Sequence, residues 1–550
     1  MARQWNRVGC LTLCALTASA AIRCQGSDDG GPIGPGNTSD GGASDVSTDG
    51  ATPMSDAASD PAVTPDATLS DVMPPRDVAS DTARPDGSGM SDGTGPIDVS
   101  SDVIVTDGAT DTGGSNGAGG ILYPNDAIHS PITAPIAATL RRIAMTGASR
   151  NTHNFMKIGD PIMGDALGSP NQVIQGDFFG CVESAAPIKD LATYAALQTT
   201  IDYFRQGSIG GKTPFSHVSQ CTRENLTSWD LLSENLLPPE ITLANPSLGF
   251  IMFGSVDIGN GGTFNPSPQG DWKKYRDYAQ AMLDIEDALI AAGVVPVIFS
   301  MPPRLSNSAP VMQAATFVAL TRAIAQGRQT PFIDFHLPLR KLTDLGLESD
   351  GLHITQYEVG GGARNCVFTD EGLKHGYNLM NLLGLQALER VKQVVADGAT
   401  SIDASAPSIE GQGTVDAPFE VPSLPFSDLR DLGKATSKSF ESYTGCGSSK
   451  ESGGEYVYRV NLASPAKVRA IVIDRKGSPV AAHVYRLSSP SAASCVMSQS
   501  SNPSSGGLSA GSLAAGMHYF AVDSPSVAAG KVAEYMLVLI ECDAADTTCN

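Results

Sequence analysis

Between residues 27 and 118 the chain has no phenylalanine, tyrosine or tryptophan. A stretch without aromatics, built from Asp, Ser, Thr, Gly, Pro and Ala, cannot bury enough apolar surface to offset the entropy of ordering it, so a linker is expected here and not a domain. Positive charge is also scarce: 36 Lys and Arg stand against 58 Asp and Glu, a net charge of −22. No basic face is available to neutralise phosphates, which argues against nucleic acid as a partner. Beyond the first two dozen residues, no apolar run approaches the ~20 residues of a membrane-crossing helix. Paired C-x-x-C spacings are missing too, so the cysteines do not read as a zinc site.

The charge imbalance is local. Residues 27–118 hold 17 Asp and two Arg, Arg76 and Arg84, so −15 of the −22 sits in that segment. Such a segment repels itself and extends. Its aspartates recur, as in Ser44-Asp45 and Ser55-Asp56. They lack the D-x-D-x-D-G loop that calcium needs, and a solvating spacer accounts for them.

Ahead of the spacer, Arg3 and Arg7 precede an apolar run at 8–22, too short to span a bilayer, and residues 1–26 read as an export signal. Ala18-Ser19-Ala20 suits ordinary cleavage, whereas Cys24 stands where a bacterial lipoprotein carries its lipid. The chain is therefore expected at the bacterial cell surface or outside the cell, touching membrane only through an anchor at Cys24. Export permits disulfides among Cys181, Cys221, Cys366, Cys446, Cys495, Cys542 and Cys549. Seven is odd, and Cys366 is taken as the unpaired one.

The chain has 550 residues, enough for two or three domains. From 119 to 399, short apolar runs alternate with amphipathic stretches, the pattern of a parallel sheet covered by helices. Strands are expected at 154–158, 248–253, 294–300 and 331–335, and helices at 272–292, 311–326 and 372–395. Residues 400–424 form a polar linker. From 425 to 550, period-two segments at 456–460, 468–473, 518–522 and 535–540 predict a small all-β sandwich.

Parallel α/β sheets bind ligands beyond the carboxyl ends of their strands. Three loops stand there: Gly159-Asp160-Pro161, Gly254-Ser255-Val256-Asp257, and Ser349-Asp350-Gly351-Leu352-His353. In order and spacing they resemble the strand-end blocks of the SGNH, or GDSL-type, hydrolase family, and so do Met301-Pro302-Pro303-Arg304 and Ala291-Ala292-Gly293-Val294-Val295-Pro296-Val297. The resemblance implies a flavodoxin-like three-layer sandwich of ester-hydrolase lineage, needing no cofactor or metal. It implies that Asp350 orients His353 as general base, that Asp160 belongs to the first block, and that Gly159, Gly254, Ser255, Val256 and Asp257 frame the oxyanion region.

Two departures bear on activity. Where the family has its serine nucleophile stands Pro161, which has neither a hydroxyl nor a backbone N–H. Where the family has its oxyanion asparagine stands Val256. Thr222-Arg223-Glu224-Asn225 occupies the block-two region, and none of Gly207, Gly210 or Gly211 aligns with the family's glycine donor. Losing one oxyanion donor costs about a hundred- to a thousandfold in rate, and losing a nucleophile roughly a millionfold. The expectation is a disarmed hydrolase that binds a glycan or acyl ligand. The alternatives are a working esterase with another nucleophile, for which Ser255 is the best placed hydroxyl, and a structural or adhesive envelope protein.

Gly507-Leu508-Ser509-Ala510-Gly511 matches the nucleophile elbow of another hydrolase class, but no helix pattern follows it, and a loop between strands is expected instead. Asp334, His336 and His375 have metal-ligand side chains without ligand spacing and are read as ordinary polar packing. In the last domain, Gly516-Met517-His518-Tyr519-Phe520-Ala521-Val522-Asp523 resembles the pre-peptidase C-terminal type of module found on secreted bacterial enzymes. Tyr443, Tyr456 and Tyr485 could stack on sugars if exposed, although alternating strand tyrosines are more often core.

Overall fold

The computed structural model describes residues 120–542 except 148, 165–177, 260–267, 306–307, 447–449, 477, 479–480, 501–507 and 526–531. The expected leader, Cys24, the acidic spacer and Cys549 lie outside the described residues.

Four strands, β1 (Asn151–Gly159), β2 (Pro246–Met252), β3 (Val295–Phe299) and β4 (Phe332–Ile333), pair in parallel in the order β1-β2-β3-β4. Every residue of β2 and β3 is buried. Both sheet faces are covered, which is why these strands read as unbroken apolar runs. Phe250 of β2 lies opposite Lys157 and Val297 and meets Phe155, Phe178, Phe179 and Phe299 on one face. The other face, marked by Gly249, is covered by Leu289.

Among the helices of this body are α1 (Ala134–Ala144), α2 (Ser228–Ser233), α3 (Pro268–Ala291), α4 (Ser308–Arg328) and α5 (Gly376–Val395). Helix α1 packs with α5, and α3 with both α2 and α4. The short α2 is held by a capping box, Thr227 Oγ1 accepting from Asp230 N while the Asp230 carboxylate accepts from Thr227 N.

Nine antiparallel or mixed strands follow: β5 (Phe419–Val421), β6 (Phe426–Asp431), β7 (Tyr456–Leu462), β8 (Ala466–Asp474), β9 (His483–Leu487), β10 (Cys495–Ser500), β11 (Leu508–Leu513), β12 (Gly516–Asp523) and β13 (Glu534–Glu541). They form the sheets β6-β13-β8-β11 and β10-β9-β12-β7-β5. Part of the stretch expected as linker is therefore strand, since β5 pairs with β7 and Ile409 is buried in the sandwich core. Residues 508–511 of the elbow-like motif also lie in a strand, β11, where a loop was expected, and Gly507 lies outside the described residues. Tyr443, Tyr456 and Tyr485 are all buried, and Tyr443 stacks on Tyr485 at 3.5 Å between ring centroids. They offer no sugar platform.

Strands β8 and β13 form where period-two segments were expected and do alternate their facing, but both of their faces are apolar, and the reason is physical. Val468, Ala470, Val472, Tyr535, Leu537 and Leu539 fill the sandwich core, while Ile471, Ile473, Met536, Val538 and Ile540 join the core of the α/β body. This sheet is covered on both faces, by its partner sheet and by α4, so no polar face remains to alternate.

The seam is ionic at one end. Arg328 of α4 makes paired contacts to Asp287 (2.7 and 3.1 Å) and to Glu534 of β13 (2.7 and 3.0 Å). Arg475 adds contacts to Asp284 at 2.9 Å and Asp287 at 2.7 Å. Disulfides join Cys181 to Cys366 and Cys446 to Cys495, and Cys542 is also disulfide-bonded. The expectation for Cys366 is thus overturned. Among the described residues the free thiol is Cys221, sealed in the core.

Gly327 lets α4 approach the sandwich, because a Cβ there would lie 2.4 Å from Leu429 Cδ2 and 2.7 Å from its Cβ. Gly327→Val should lower stability by about 1–3 kcal/mol through overpacking. Adding Leu429→Ala should recover part of that loss, so the double variant should unfold at higher denaturant than the two single effects summed would give.

Candidate functional site

Strand β1 ends at Gly159, whose N–H donates to Cys221 O at 3.0 Å. A Cβ at Gly159 would fall 2.3 Å from Met252 O, so a side chain there would force β1 and β2 apart at their carboxyl ends. Asp160 follows, its N–H on Met252 O at 3.2 Å, and its Oδ1 accepts from Ile162 N at 3.2 Å. That contact caps the single turn Pro161–Met163, where a proline at the first position is tolerated because its missing N–H would have had no helical partner. The turn keeps its shape with no hydroxyl at its head.

Beyond β2, Asp257 folds back on its own loop. Oδ2 accepts from Gly254 N at 3.1 Å, and Oδ1 accepts from Ser228 N at 3.0 Å and Ser228 Oγ at 2.5 Å. The Gly254 amide is therefore spent on Asp257, and Val256 supplies no side-chain donor. Burial raises the Asp257 carboxyl, against the Ser228 hydroxyl and the Ser228 and Gly254 amides, which favour its charged form.

Asp160 is fully buried, and burial pushes its carboxyl up to about 7, with the Ser255 hydroxyl and the Ile162 amide drawing it back. Ser255 Oγ is close enough to act on that charge, yet among the described residues neither it nor Asp160 Oδ2 has a hydrogen bond of proper geometry. Ser255 is 5% exposed and its Oγ is sealed. A hydroxyl in that position is not open to an ester.

On the third loop, His353 Nδ1 lies 2.5 Å from Asp350 Oδ2, and Asp350 Oδ1 accepts from the amides of Leu352 (2.8 Å) and His353 (3.0 Å). Partial burial would raise Asp350, but the His353 ring and the two amides outweigh it and hold the carboxyl below its usual range. This spacing gives one compact turn with the imidazole oriented by the carboxylate and partly open to solvent.

Arg304 went unassigned from the sequence, although it closes the Met-Pro-Pro-Arg run. It is 2% exposed; Nη1 donates to Ser255 O and Nη2 to Gly259 O at 3.2 Å, while Nε has no acceptor among the described residues. Burial lowers its pKa, and the charges of Asp160 and Asp350 both oppose that shift. The guanidinium therefore couples the first block electrostatically to the Asp350–His353 turn. The backbone does so as well, Leu305 N donating to Gly351 O at 2.9 Å. Ser228 was also missed. The only sequence signal for either residue is position, just beyond a strand or just after a helix cap.

Asp334 is paired with the buried Arg322 and accepts from Leu337 N at 3.0 Å. His336 is held well toward neutral by burial, its pKa lowered to about 4, and His375 packs on Tyr357 at 5.2 Å between ring centroids. Among the described residues no group of three His, Cys, Asp or Glu is disposed to hold a metal ion.

No family model matches the chain, and no curated protein matches it. Solved structures it resembles include a lipase/acylhydrolase from Enterococcus faecalis, 15% identical over 43% of this chain and 94% of that one, with a TM-score of 0.28. A GDSL-like lipase from Bacteroides thetaiotaomicron is 16% identical over 46% and 98% of the two chains, with a TM-score of 0.27. A catalytic mutant of an acetylxylan esterase from Geobacillus stearothermophilus is 12% identical over 43% and 95%, with a TM-score of 0.29.

The raised carboxyl of Asp160 sets a direction for stability with pH. A proton held more tightly in the folded chain stabilises it fully below the ordinary value near 4, and that contribution is lost as pH rises through about 7. Asp160→Asn, which keeps the acceptor for Ile162 N, should be more stable than the wild type at pH 8 by on the order of 1–4 kcal/mol, and the gain should vanish near pH 4. Urea titrations at the two pH values measure the difference.

Proposed function

We propose that the chain is an exported protein of SGNH-type hydrolase lineage whose acyl-transfer site has been disarmed and kept as a binding site for a glycan or acyl-ester ligand. The observation that carries this reading is a mismatch between two of the strand-end loops. The Asp350–His353 pair is intact at 2.5 Å, while the position that should supply its nucleophile is Pro161. An oriented imidazole with no hydroxyl to deprotonate has no acyl-transfer step to perform.

The parallel sheet, the order of the three strand-end loops and the Gly254–Asp257 clasp support the lineage. The loss of the oxyanion donor at Val256, and the engagement of the Gly254 amide by Asp257, support loss of turnover. The alternative nucleophile, Ser255, is disfavoured by its burial. Export is supported by the leader-like start of the sequence and by the disulfides, which persist in oxidising compartments.

Hydrolysis of p-nitrophenyl acetate tests the reading. Wild type should not exceed the rate of buffer, and Pro161→Ser with Val256→Asn should raise it by at least a hundredfold over wild type. Adding His353→Ala to that pair should abolish the gain. Wild-type turnover that depends on His353 would overturn the proposal.

A further inference from the structure

A cavity of about 180 Å³ opens where the α/β body meets the sandwich, away from the strand-end loops. Tyr123, Pro425 and Phe426 supply apolar wall, and Arg322, Ser423 and Ser427 supply polar wall. Arg322 and Ser427 are each 3% exposed. Arg322 gives Nη2 to Asp334, but among the described residues its Nε and Nη1 have no acceptor and Ser427 Oγ has no partner. Buried donors left unpaired are costly and rare, so two such residues beside one cavity point to a missing acceptor.

We propose that this cavity binds a small neutral polyol of about monosaccharide size. The volume is about tenfold what one bridging water requires, and below the ~300 Å³ at which drug-sized sites begin. Charge decides against an anion. The Arg322 charge is already matched by Asp334, Asp126 lies on the cavity wall, and among the described residues no other cation lines it. A ligand with several uncharged oxygens would give acceptors to Arg322 and an acceptor or donor to Ser427 without adding negative charge, while the flat apolar wall covers its carbon skeleton. The site is independent of the Asp350–His353 pair, and because its walls come from both domains, binding would tighten their junction.

Isothermal titration of the full chain with D-glucose, D-xylose and N-acetyl-D-glucosamine tests this, with sodium acetate and inorganic phosphate as the anionic arm. Saturable binding of at least one sugar with a millimolar Kd is expected. Ser423 is exposed at the rim, so Ser423→Trp should block the cavity, weakening binding at least tenfold with an unchanged melting temperature. Ser427→Ala should weaken it severalfold, and it decides the matter should Ser423→Trp melt early. Absence of saturable binding up to ~50 mM of every sugar, binding indifferent to both variants, or tighter binding of acetate or phosphate would each overturn the proposal.

Discussion

Helix α4 is covered on two sides, by the parallel sheet and by the sheet β6-β13-β8-β11, and neither cover can be removed without exposing the apolar face of the other. The close approach at Gly327 and the Arg328 clasp follow from that requirement. A guanidinium taken this far out of water is costly to leave unpaired, and the two carboxylates from α3 and β13 give each nitrogen of Arg328 an acceptor. The sandwich is thus an outer layer of the same hydrophobic core and not a module on a string. Unfolding it alone would strand Ile471, Ile473, Met536, Val538 and Ile540 in water, so the two domains should melt together.

How much could be read from the sequence follows from the range of the forces involved. The parallel strands and their helices were legible because burial on both faces leaves continuous apolar runs, and the structure places β1 to β4 within a few residues of the expected spans. The Asp350–His353 turn was legible because its hydrogen bonds are local, spanning two to three residues. Strand β5 was not: three residues in a Pro- and Ser-rich stretch carry no period, and they become a strand only by pairing with β7. The cysteine pairing failed for the same reason, since Cys181 and Cys366 are 185 residues apart and nothing between them announces their meeting.

The candidate site shows the same limit in its chemistry. Pro161 and Val256 could be recognised from residue type alone as departures from the pattern of the family the chain resembles. The state of what remains could not, because Asp160, Ser255 and Arg304 owe their properties to burial by distant segments. A carboxyl held near neutrality and a guanidinium with an unspent donor are expensive in a site with no task, and natural cores avoid such groups unless they are used.

Cys221 bears on how the cross-links of this chain form. Its thiol is fully buried, burial raises its pKa far above the usual thiol value, and it donates to Leu236 O at 3.4 Å. Thiol–disulfide exchange requires the thiolate, so a sealed and protonated sulfur cannot attack the bonds at Cys181–Cys366 or Cys446–Cys495 once the core has closed. Before closure it can. The odd cysteine therefore makes the order of events matter, since a chain that packs β1 against Cys221 early protects its own cross-links, and a chain that delays invites scrambling. Its alkylation rate in the native protein would time the opening of that core.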